Sequence, residues 1–357
     1  MFTMAPAKIV KIDLLQPDEK ILKQAADIVA EGGLVIIPTE TVYGIAANAS
    51  NKNALERLSA VKERPEGKPF SLHVDSKEKI EKIADSIPAA AYKLMNKFWP
   101  GPLTIILRAK DGNTVGVRMP DNRVALRIIA LSGVAVVCPS ANISGRPPPI
   151  NFQEAIKDLK GAVDFAIDTG ATKLGVESTV VDMTVEPCRV LREGAVGKEA
   201  LDAVTRKKII LFVCTGNSCR SVMAEGLLKK KLQEQNRLPD IEVLSAGLMT
   251  PGNSGATEET VEIMRREGID VSQHRSRKLT RDLLNMADFI LVMERVHEAR
   301  IREAVPQVKN RLFLLKEFAR LRNNHFDIPD PIGNSLEYYG ETFTVIREAV
   351  NKVAEIL

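Results

Sequence analysis

The sequence has few aromatic residues and few cysteines. Aromatic residues make up 4% of the 357 residues, with a single tryptophan, so the cores have to be built from Val, Ile, Leu and Ala. The cysteines Cys138, Cys188, Cys214 and Cys219 form no CxxC pair and no ladder with histidines, which argues against a zinc site. A chain of this length also has no need of a disulfide framework. We therefore expect a reducing, cytoplasmic environment and no metal held by the protein itself.

The sequence also lacks a segment suited to a membrane. The N-terminal stretch is interrupted by Lys8, Lys11 and Asp13, so it has no apolar core of a signal peptide. The most apolar stretch, Val124 to Cys138, contains Arg127 and is too short to cross a bilayer. The net charge of +4 slightly favours anionic ligands and does not by itself indicate nucleic-acid binding. We expect no membrane partner.

The length favours two domains, and the pattern of strands and helices restarts around Gly194–Lys208, which predicts α/β domains over residues 1–205 and 206–357. In the first, strands follow one another closely as well as alternating with helices, which predicts a mixed, open, twisted sheet. In the second, regular alternation of strand and helix predicts a small doubly wound parallel sheet. The predicted strands are Leu34–Thr39, Leu72–Val74, Leu103–Arg108, Val115–Arg118, Val134–Cys138, Phe165–Asp168, Ser178–Asp182, Arg189–Leu191, Ile209–Val213, Glu242–Ser245, Phe289–Met293 and Leu312–Leu315. The predicted helices are Glu19–Glu31, Lys52–Lys62, Ala89–Phe98, Phe152–Leu159, Ser221–Glu234, Glu258–Arg266 and Glu341–Ile356.

The run CTGNSCRS follows a predicted strand and opens a predicted helix. Open α/β sheets bind ligands at the carboxyl ends of their strands, and a helix N-terminus attracts a phosphate. Gly216 and Asn217 suit the positive φ of a tight anion loop, and Thr215 to Arg220 offer their amides. Cys214 is then expected to be the nucleophile, and the guanidinium of Arg220 can donate to two phosphoryl oxygens at once. Ser221 is expected to donate a hydrogen bond that stabilises the thiolate. This pattern predicts transfer of a phosphoryl group to Cys214 and its hydrolysis by water.

Such a reaction needs an acid for the leaving group. Asp330, in the loop DIPDPIG, is the candidate acid and later base, and Asp327 competes with it. The plain alternative for Asp330 is an Asp-Pro turn. Cys219 either packs or forms a protective disulfide with Cys214.

These residues resemble the low-molecular-weight phosphotyrosine phosphatase family, which includes protein-arginine phosphatases. The resemblance runs from Lys208 to the C-terminus and includes SAGL, HRSRKLT and DPIG as well as the loop. It implies no cofactor and a phosphorylated protein as substrate. Ser218 stands where tyrosine-directed members carry a larger aliphatic residue, and Ile332 where they often carry an aromatic one. The hydroxyl of Ser218 slightly favours phosphoarginine over phosphotyrosine, and arsenate reduction is a further alternative. The resemblance implies a phosphate loop that also contains Thr215, Gly216, Asn217 and Cys219.

The first half carries polar clusters at strand ends: PTETVYG, KERPEGKP, WPGPLT, VRMP, PSANISG, STVVD and LREG. Their cations and hydroxyls suit a polyanion in a cleft. No P-loop and no GxGxxG after a strand occurs, so a nucleotide is not held in either of those ways. Periodicity alone does not show that these groups meet, and solvated loops are the plain alternative. For His73 a core position is as good an interpretation as a ligand, and Trp99 is expected to pack.

Together these clusters resemble the YrdC-like threonylcarbamoyl-AMP synthase family over about residues 10–197. The family joins L-threonine, bicarbonate and ATP for a separate transferase that modifies adenosine in tRNA. The resemblance implies that magnesium is carried by the triphosphate. Asn122 stands where many members have a histidine. The resemblance places ATP and the carboxylated intermediate on Lys62, Arg64, Ser140, Asn142 and Arg192, and threonine on Thr39, His73, Arg118 and Ser178.

Other classes of function remain open at this point. The first half alternatively forms a double-stranded RNA-binding module without catalysis, in which case its affinity depends on salt. The second half alternatively binds an anion without turnover.

Overall fold

The computed structural model of the chain describes residues 7–64, 69–159, 161–250, 252–321 and 325–357. The chain divides into two compact units, Met1–Asp202 and Ala203–Leu357. Among the described residues, no helix combines the length and hydropathy that crossing a bilayer requires.

Unit 1 contains an eleven-stranded mixed sheet. The strand order is β1-β9-β2-β3-β8-β4-β7-β6-β10-β11, with β5 beside β6. Parallel pairs such as β4 with β7 alternate with antiparallel pairs such as β6 with β7, which confirms the mixed sheet. The strands are β1 (Lys8–Lys11), β2 (Val35–Ile37), β3 (Gly44–Asn48), β4 (Leu72–His73), β5 (Ala84–Ser86), β6 (Leu103–Ala109), β7 (Thr114–Arg118), β8 (Val136–Val137), β9 (Phe165–Asp168), β10 (Thr179–Asp182) and β11 (Arg189–Arg192).

Helices cover the sheet of unit 1 and bury an apolar cluster on each side of it. Side chains fix several helix starts: Asp18 accepts a backbone hydrogen bond at the start of α1, and Asn51 at the start of α2. The helices are α1 (Glu19–Ala30), α2 (Lys52–Val61), α3 (Ile80–Ile83), α4 (Ala89–Phe98), α5 (Arg123–Ser132), α6 (Phe152–Lys157) and α7 (Lys198–Arg206).

The apolar stretch from Val124 to Cys138 is mostly helix α5, for which no helix was predicted. Asn122 caps its start by accepting from the amides of Val124 and Ala125, and Gly133 follows its end with a φ of 66°. The predicted strand Val134–Cys138 is accordingly short, because the pairing of β8 covers only Val136–Val137.

Unit 2 is a doubly wound domain, as predicted. Its four described strands are all parallel, in the order β13-β12-β14-β15. The central strand is buried from Ile209 to Cys214, because helices cover both faces of such a sheet. The elements are β12 (Lys208–Cys214), α8 (Arg220–Glu234), β13 (Ile241–Gly247), α9 (Glu258–Arg266), α10 (Arg281–Met286), β14 (Phe289–Val292), α11 (Arg295–Ala304), β15 (Leu312–Leu314), α12 (Leu315–Phe318) and α13 (Leu336–Ile356).

Candidate active sites

The phosphate loop of unit 2 joins the carboxyl end of β12 to the start of α8. Cys214 ends the strand and is 2% exposed. Its Sγ lies 3.0 Å from Ser221 Oγ and accepts the backbone N–H of Asn217 at 3.2 Å. The Asn217 amide and the Ser221 hydroxyl therefore both lie within hydrogen-bond distance of the sulfur.

Asn217 holds the loop in its tight form. Its φ is +56°, as the sequence predicted, whereas Gly216 does not take a positive φ. The Asn217 side chain donates to Ser221 Oγ at 2.9 Å and to Ser245 Oγ at 2.8 Å. The loop is thus tied to α8 and β13 by one buried amide.

Gly247, in the SAGL motif, allows β13 to approach the loop. A Cβ on Gly247 would lie 2.9 Å from the backbone carbon of Gly216 and 3.0 Å from the nitrogen of Asn217. Only a glycine fits against this backbone without displacing it.

Arg220 is the central cation of the loop and is 0% exposed. One terminal nitrogen, Nη1, donates to Glu294 Oε2 at 2.6 Å and to the Ile328 carbonyl at 2.7 Å. The other, Nη2, donates to Thr215 Oγ1 at 3.2 Å and to Asp330 Oδ2. The Nε atom is buried without a hydrogen-bond partner among the described residues. The guanidinium is therefore fixed through its Nη1 atom, which donates to Glu294 and to the Ile328 carbonyl.

The structure distinguishes the two candidate acids. Asp330 reaches the guanidinium of Arg220, so its carboxylate lies at the phosphate loop. Asp327 instead accepts the backbone N–H of Arg295 at 2.7 Å, at the start of α11. Of these two carboxylates, only Asp330 contacts the phosphate loop in the described structure.

Cys219 and Ser218 complete the loop. Cys219 is a buried, free cysteine whose Sγ lies 3.5 Å from Tyr339 Oη and 3.6 Å from Thr257 Oγ1. In this structure it packs among these hydroxyl groups. Ser218 is half-buried.

Unit 1 contains a cavity of about 600 Å³ at the ends of its central strands. Its volume lies in the range of small-molecule sites. Side chains from distant parts of the sequence meet there. Predicted site residues among its lining are Thr39, Arg64, His73, Arg118, Ser140, Ser178 and Arg192.

Two predicted ATP-binding residues, Lys62 and Asn142, do not line the cavity. Lys62 Nζ donates to the backbone carbonyls of Ser140 and Asn142. Burial, and then the charge of Arg64, lowers the pKa of Lys62 to about 8. In this structure, the lysine fixes the loop that carries Ser140.

Arg118 forms a buried ion pair that sequence reasoning missed. Its Nη2 donates to Glu40 Oε1 at 2.7 Å and to Thr41 Oγ1 at 2.8 Å. The other oxygen of Glu40, Oε2, is buried without a partner among the described residues. Glu40 is part of the PTETVYG motif, but no sequence pattern indicates that it pairs with Arg118. The pair fixes the guanidinium at the wall of the cavity.

His73 and Cys138 are buried, titratable groups on the same wall. His73 is 6% exposed, and within the described ranges neither ring nitrogen has a partner of normal hydrogen-bond geometry. Burial, with the charge of Arg118 second, lowers its pKa to about 3, so the ring is neutral. Burial raises the pKa of Cys138 to about 12, so this thiol stays protonated. A Cβ on Gly44 would lie 2.4 Å from Cys138 Sγ, which explains the glycine of PTETVYG.

Arg192 and Ser178 also line the cavity. Arg192 Nη1 donates to Glu177 Oε1 at 2.6 Å, and its Nη2 donates to the Ser178 carbonyl at 2.8 Å. Ser178 Oγ lies 2.9 Å from Thr104 Oγ1. Arg192 thus holds the segment that presents Ser178.

Three further sequence predictions concern the surroundings of this cavity. Trp99 is buried and donates to the Leu103 carbonyl at 2.7 Å, so it packs as expected. Asn122 caps α5 and does not line the cavity. Arg64 Nη2 donates to the Pro69 carbonyl at 2.7 Å, but residues 65–68 of KERPEGKP lie outside the described residues. Within the described ranges, no group of three or more His, Cys, Asp or Glu side chains is placed to hold a metal.

The two units match two different protein families. Residues 27–194 match the family model described as Telomere recombination (Sua5/YciO/YrdC). Residues 209–357 match the model of low molecular weight phosphotyrosine protein phosphatase.

Similar proteins are found for each unit. A threonylcarbamoyl-AMP synthase of Pyrococcus abyssi is 40% identical over 219 residues, which are 59% of this chain and 64% of that protein. The chain therefore spans less than two thirds of that relative's length. A protein-arginine-phosphatase of Geobacillus stearothermophilus is 36% identical over 148 residues, 42% of this chain and 95% of that protein. A solved structure of a doubly substituted P. abyssi Sua5 superposes with a TM-score of 0.53 at 32% identity, covering 74% of this chain and 90% of that one.

Proposed function

The chain belongs to the Sua5/YciO/YrdC family in unit 1 and to the low-molecular-weight phosphotyrosine phosphatase family in unit 2, and we propose that it is a bifunctional enzyme. Unit 1 makes L-threonylcarbamoyladenylate from L-threonine, bicarbonate and ATP. Unit 2 hydrolyses a phosphorylated protein through Cys214. The proposal includes a cytoplasmic location.

The synthase proposal rests on one observation: Arg64, Arg118 and Arg192, far apart in sequence, reach one cavity of about 600 Å³. Three guanidinium groups at one site suit a triphosphate together with an amino-acid carboxylate. Threonine's amine captures carbon dioxide derived from bicarbonate as a carbamate, and the carbamate oxygen attacks the α-phosphorus with release of pyrophosphate. Such a displacement depends mostly on positioning and on stabilisation of negative charge.

Magnesium fits this site only as part of the nucleotide. The charged groups at the cavity are mostly arginines, and the carboxylate of Glu177 already accepts a hydrogen bond from Arg192. When bound, magnesium neutralises charge on the triphosphate. The adenylate product serves a separate transferase that acts on tRNA, so both are proposed partners.

Pyrophosphate release tests the synthase proposal. We expect release only when threonine, bicarbonate and ATP are all present, with a product whose mass matches the adenylate. Arg64→Ala is expected to abolish it, whereas Arg127→Ala, which removes an exposed guanidinium on α5, retains it. Turnover of ATP that ignores threonine contradicts the proposal. Retained RNA affinity without adenylate supports the non-catalytic alternative instead.

The phosphatase proposal rests on the geometry around Cys214: two hydrogen-bonding groups at its sulfur, a buried Arg220 in the same loop, and Asp330 on that guanidinium. A substrate phosphoryl group takes the place of Asp330 on Arg220. Cys214 attacks phosphorus, the leaving group departs with the proton of Asp330, and water then hydrolyses the phosphocysteine.

The substrate proposed for unit 2 is phosphoarginine in a protein. Ser218 places a small hydroxyl residue in the half-buried part of the loop, where it can interact with a guanidino group. A side-by-side assay with phosphoarginine and phosphotyrosine peptides tests this choice. We expect a higher kcat/KM for phosphoarginine and a shift towards phosphotyrosine in Ser218→Ile. Equal rates in the wild type, or no shift in the variant, contradict it.

A further inference from the structure

His297 is a buried histidine on α11 that lies beside the phosphate loop without belonging to it. It is 2% exposed. Its Nε2 lies 3.0 Å from Thr215 Oγ1, and its Nδ1 lies 3.2 Å from the backbone nitrogen of Glu294. The ring therefore joins the start of α11 to the first residue after the nucleophile.

These contacts determine which ring nitrogen carries the proton. The Glu294 N–H donates to Nδ1, so Nδ1 presents its lone pair. Burial, and then the charge of Arg220, lowers the pKa of His297 and favours the neutral ring. The single proton is then on Nε2. Thr215 Oγ1 is its nearest acceptor, since Glu294 Oε2 lies farther away at 3.5 Å.

The proton on Nε2 in turn orients the Thr215 hydroxyl. Thr215 Oγ1 also accepts from Arg220 Nη2 at 3.2 Å. A hydroxyl oxygen has two lone pairs and one hydrogen, so both acceptor positions are filled and the hydrogen is left to donate. The described residues provide no third partner for it. Thr215 is half-buried, so part of the residue is accessible.

A bound phosphoryl group would lie next to this hydrogen. Arg220 Nη2, which Thr215 touches, also contacts the carboxylate of Asp330, and this carboxylate marks the side of the guanidinium where an anion binds. We propose that His297 is a positioning residue that makes the Thr215 hydroxyl an obligate donor to the substrate phosphoryl group. This inference rests on the proposed phosphatase function and deepens it.

Two substitutions separate positioning from packing. In His297→Asn, the side-chain oxygen takes the place of Nδ1 and keeps the hydrogen bond from Glu294, but the side chain is too short to reach Thr215. In His297→Gln, the amide nitrogen reaches Thr215, but no atom replaces Nδ1. We measure the affinity for inorganic phosphate by calorimetry on the full chain, with kcat/KM and thermal unfolding alongside.

We expect His297→Asn to unfold at nearly the wild-type temperature and to bind phosphate roughly tenfold more weakly, as for the loss of one hydrogen bond. His297→Gln is expected to keep phosphate affinity within about twofold, by the same reasoning, and to be less stable, since α11 loses a hydrogen bond at its start. Thr215→Val is expected to weaken phosphate binding in the wild type and to add little in the His297→Asn background.

Other outcomes overturn the inference. If both histidine variants lose affinity and stability together, His297 only packs. If Thr215→Val has its full effect in the His297→Asn background, the two side chains act independently. A wild-type chain that binds phosphate but cleaves no phosphorylated substrate contradicts the phosphatase proposal. In that case the phosphate affinities of the variants still test the role of His297. A wild-type chain that binds no phosphate overturns both.

Discussion

The two candidate sites are built in opposite ways. The phosphate loop of unit 2 is one run of chain, from Cys214 to Ser221, held between a strand and a helix. The cavity of unit 1 collects Arg64, Arg118 and Arg192 from segments that only the sheet brings together. A site formed by one segment can be recognised from the order of its residues. A site formed by distant segments depends on which strands pair and on which buried groups contact each other.

The first prediction is that the two sites work independently. It involves the largest expected change in activity. Cys214→Ser removes the nucleophile and is expected to lower phosphatase kcat/KM by about 10⁴-fold or more. Pyrophosphate release that depends on threonine is expected to stay within twofold of the wild type, a margin of about 0.4 kcal/mol. Both rates are measured on the same preparation. A matching loss of pyrophosphate release would indicate that the two activities are not separate.

The second prediction concerns Asp330 as the proton donor to the leaving group, and Asp327 provides a matched control. Asp330→Asn is expected to lower kcat by about 100- to 10,000-fold, because the leaving group loses its proton donor. Asp327→Asn is expected to retain most activity, because its carboxylate contacts the start of α11 instead. Stopped-flow assays with a poor leaving group make the comparison sensitive. Equal losses in the two variants would contradict the assignment of Asp330.

Each unit contains a glycine with a neighbouring segment packed closely against it, which gives the third prediction. Gly44→Ala places a Cβ 2.4 Å from Cys138 Sγ, and Gly247→Ala places one 2.9 Å from the Gly216 backbone. Each is expected to cost about 1–3 kcal/mol of unfolding free energy. Gly161→Ala and Gly255→Ala are the controls, since a Cβ at either position meets nothing within 4 Å.

The readouts for these glycine variants can be separated by unit. The single tryptophan, Trp99, is buried in unit 1, so its fluorescence follows the unfolding of that unit. Phosphate affinity follows the loop of unit 2. A Gly247→Ala variant that binds phosphate normally would show that the loop tolerates the shift.

The acid sensitivity of unit 1 gives the fourth prediction. Burial, and then the charge of Arg118, lowers the pKa of His73 in the folded chain from the ordinary value of 6.5 to about 3. The unfolded state therefore binds more protons between these values, and unit 1 loses stability as the pH falls from about 6.5 towards 3. His73→Leu is expected to flatten this slope in denaturant titrations followed by Trp99 fluorescence. An unchanged slope in the variant would exclude His73 as its source.

Sequence patterns over a few residues predicted the strand, loop and helix that surround Cys214. The strand β12, the loop and α8 follow from one apolar run, a glycine-asparagine turn and an arginine that begins the helix. The long-range partners of that loop were not predictable. Glu294, Ile328 and His297 contact it only because β14 lies beside β12 in the sheet.

For the cavity of unit 1, the sequence predicted which motifs take part but not how their side chains are arranged. Sequence reasoning placed Lys62 and Asn142 beside Arg64 and Ser140 on the ligand. In the structure, the Lys62 ammonium donates to backbone carbonyls of the Ser140 loop, and its contact with the ligand stays a prediction. Burial makes this choice, because a buried ammonium needs acceptors and the nearby carbonyls provide them.

The sequence by itself determined the two α/β units, the strand-loop-helix of the nucleophile and the residue types available to each site. These follow from periodicity, turn chemistry and side-chain chemistry, which act over a few residues. The tertiary structure alone decided that Glu40 pairs with Arg118, that Asp330 rather than Asp327 reaches Arg220, and that Lys62 supports a loop. Those outcomes depend on which strand ends meet and on how each buried charge finds a partner, and neither is encoded over a short stretch of chain.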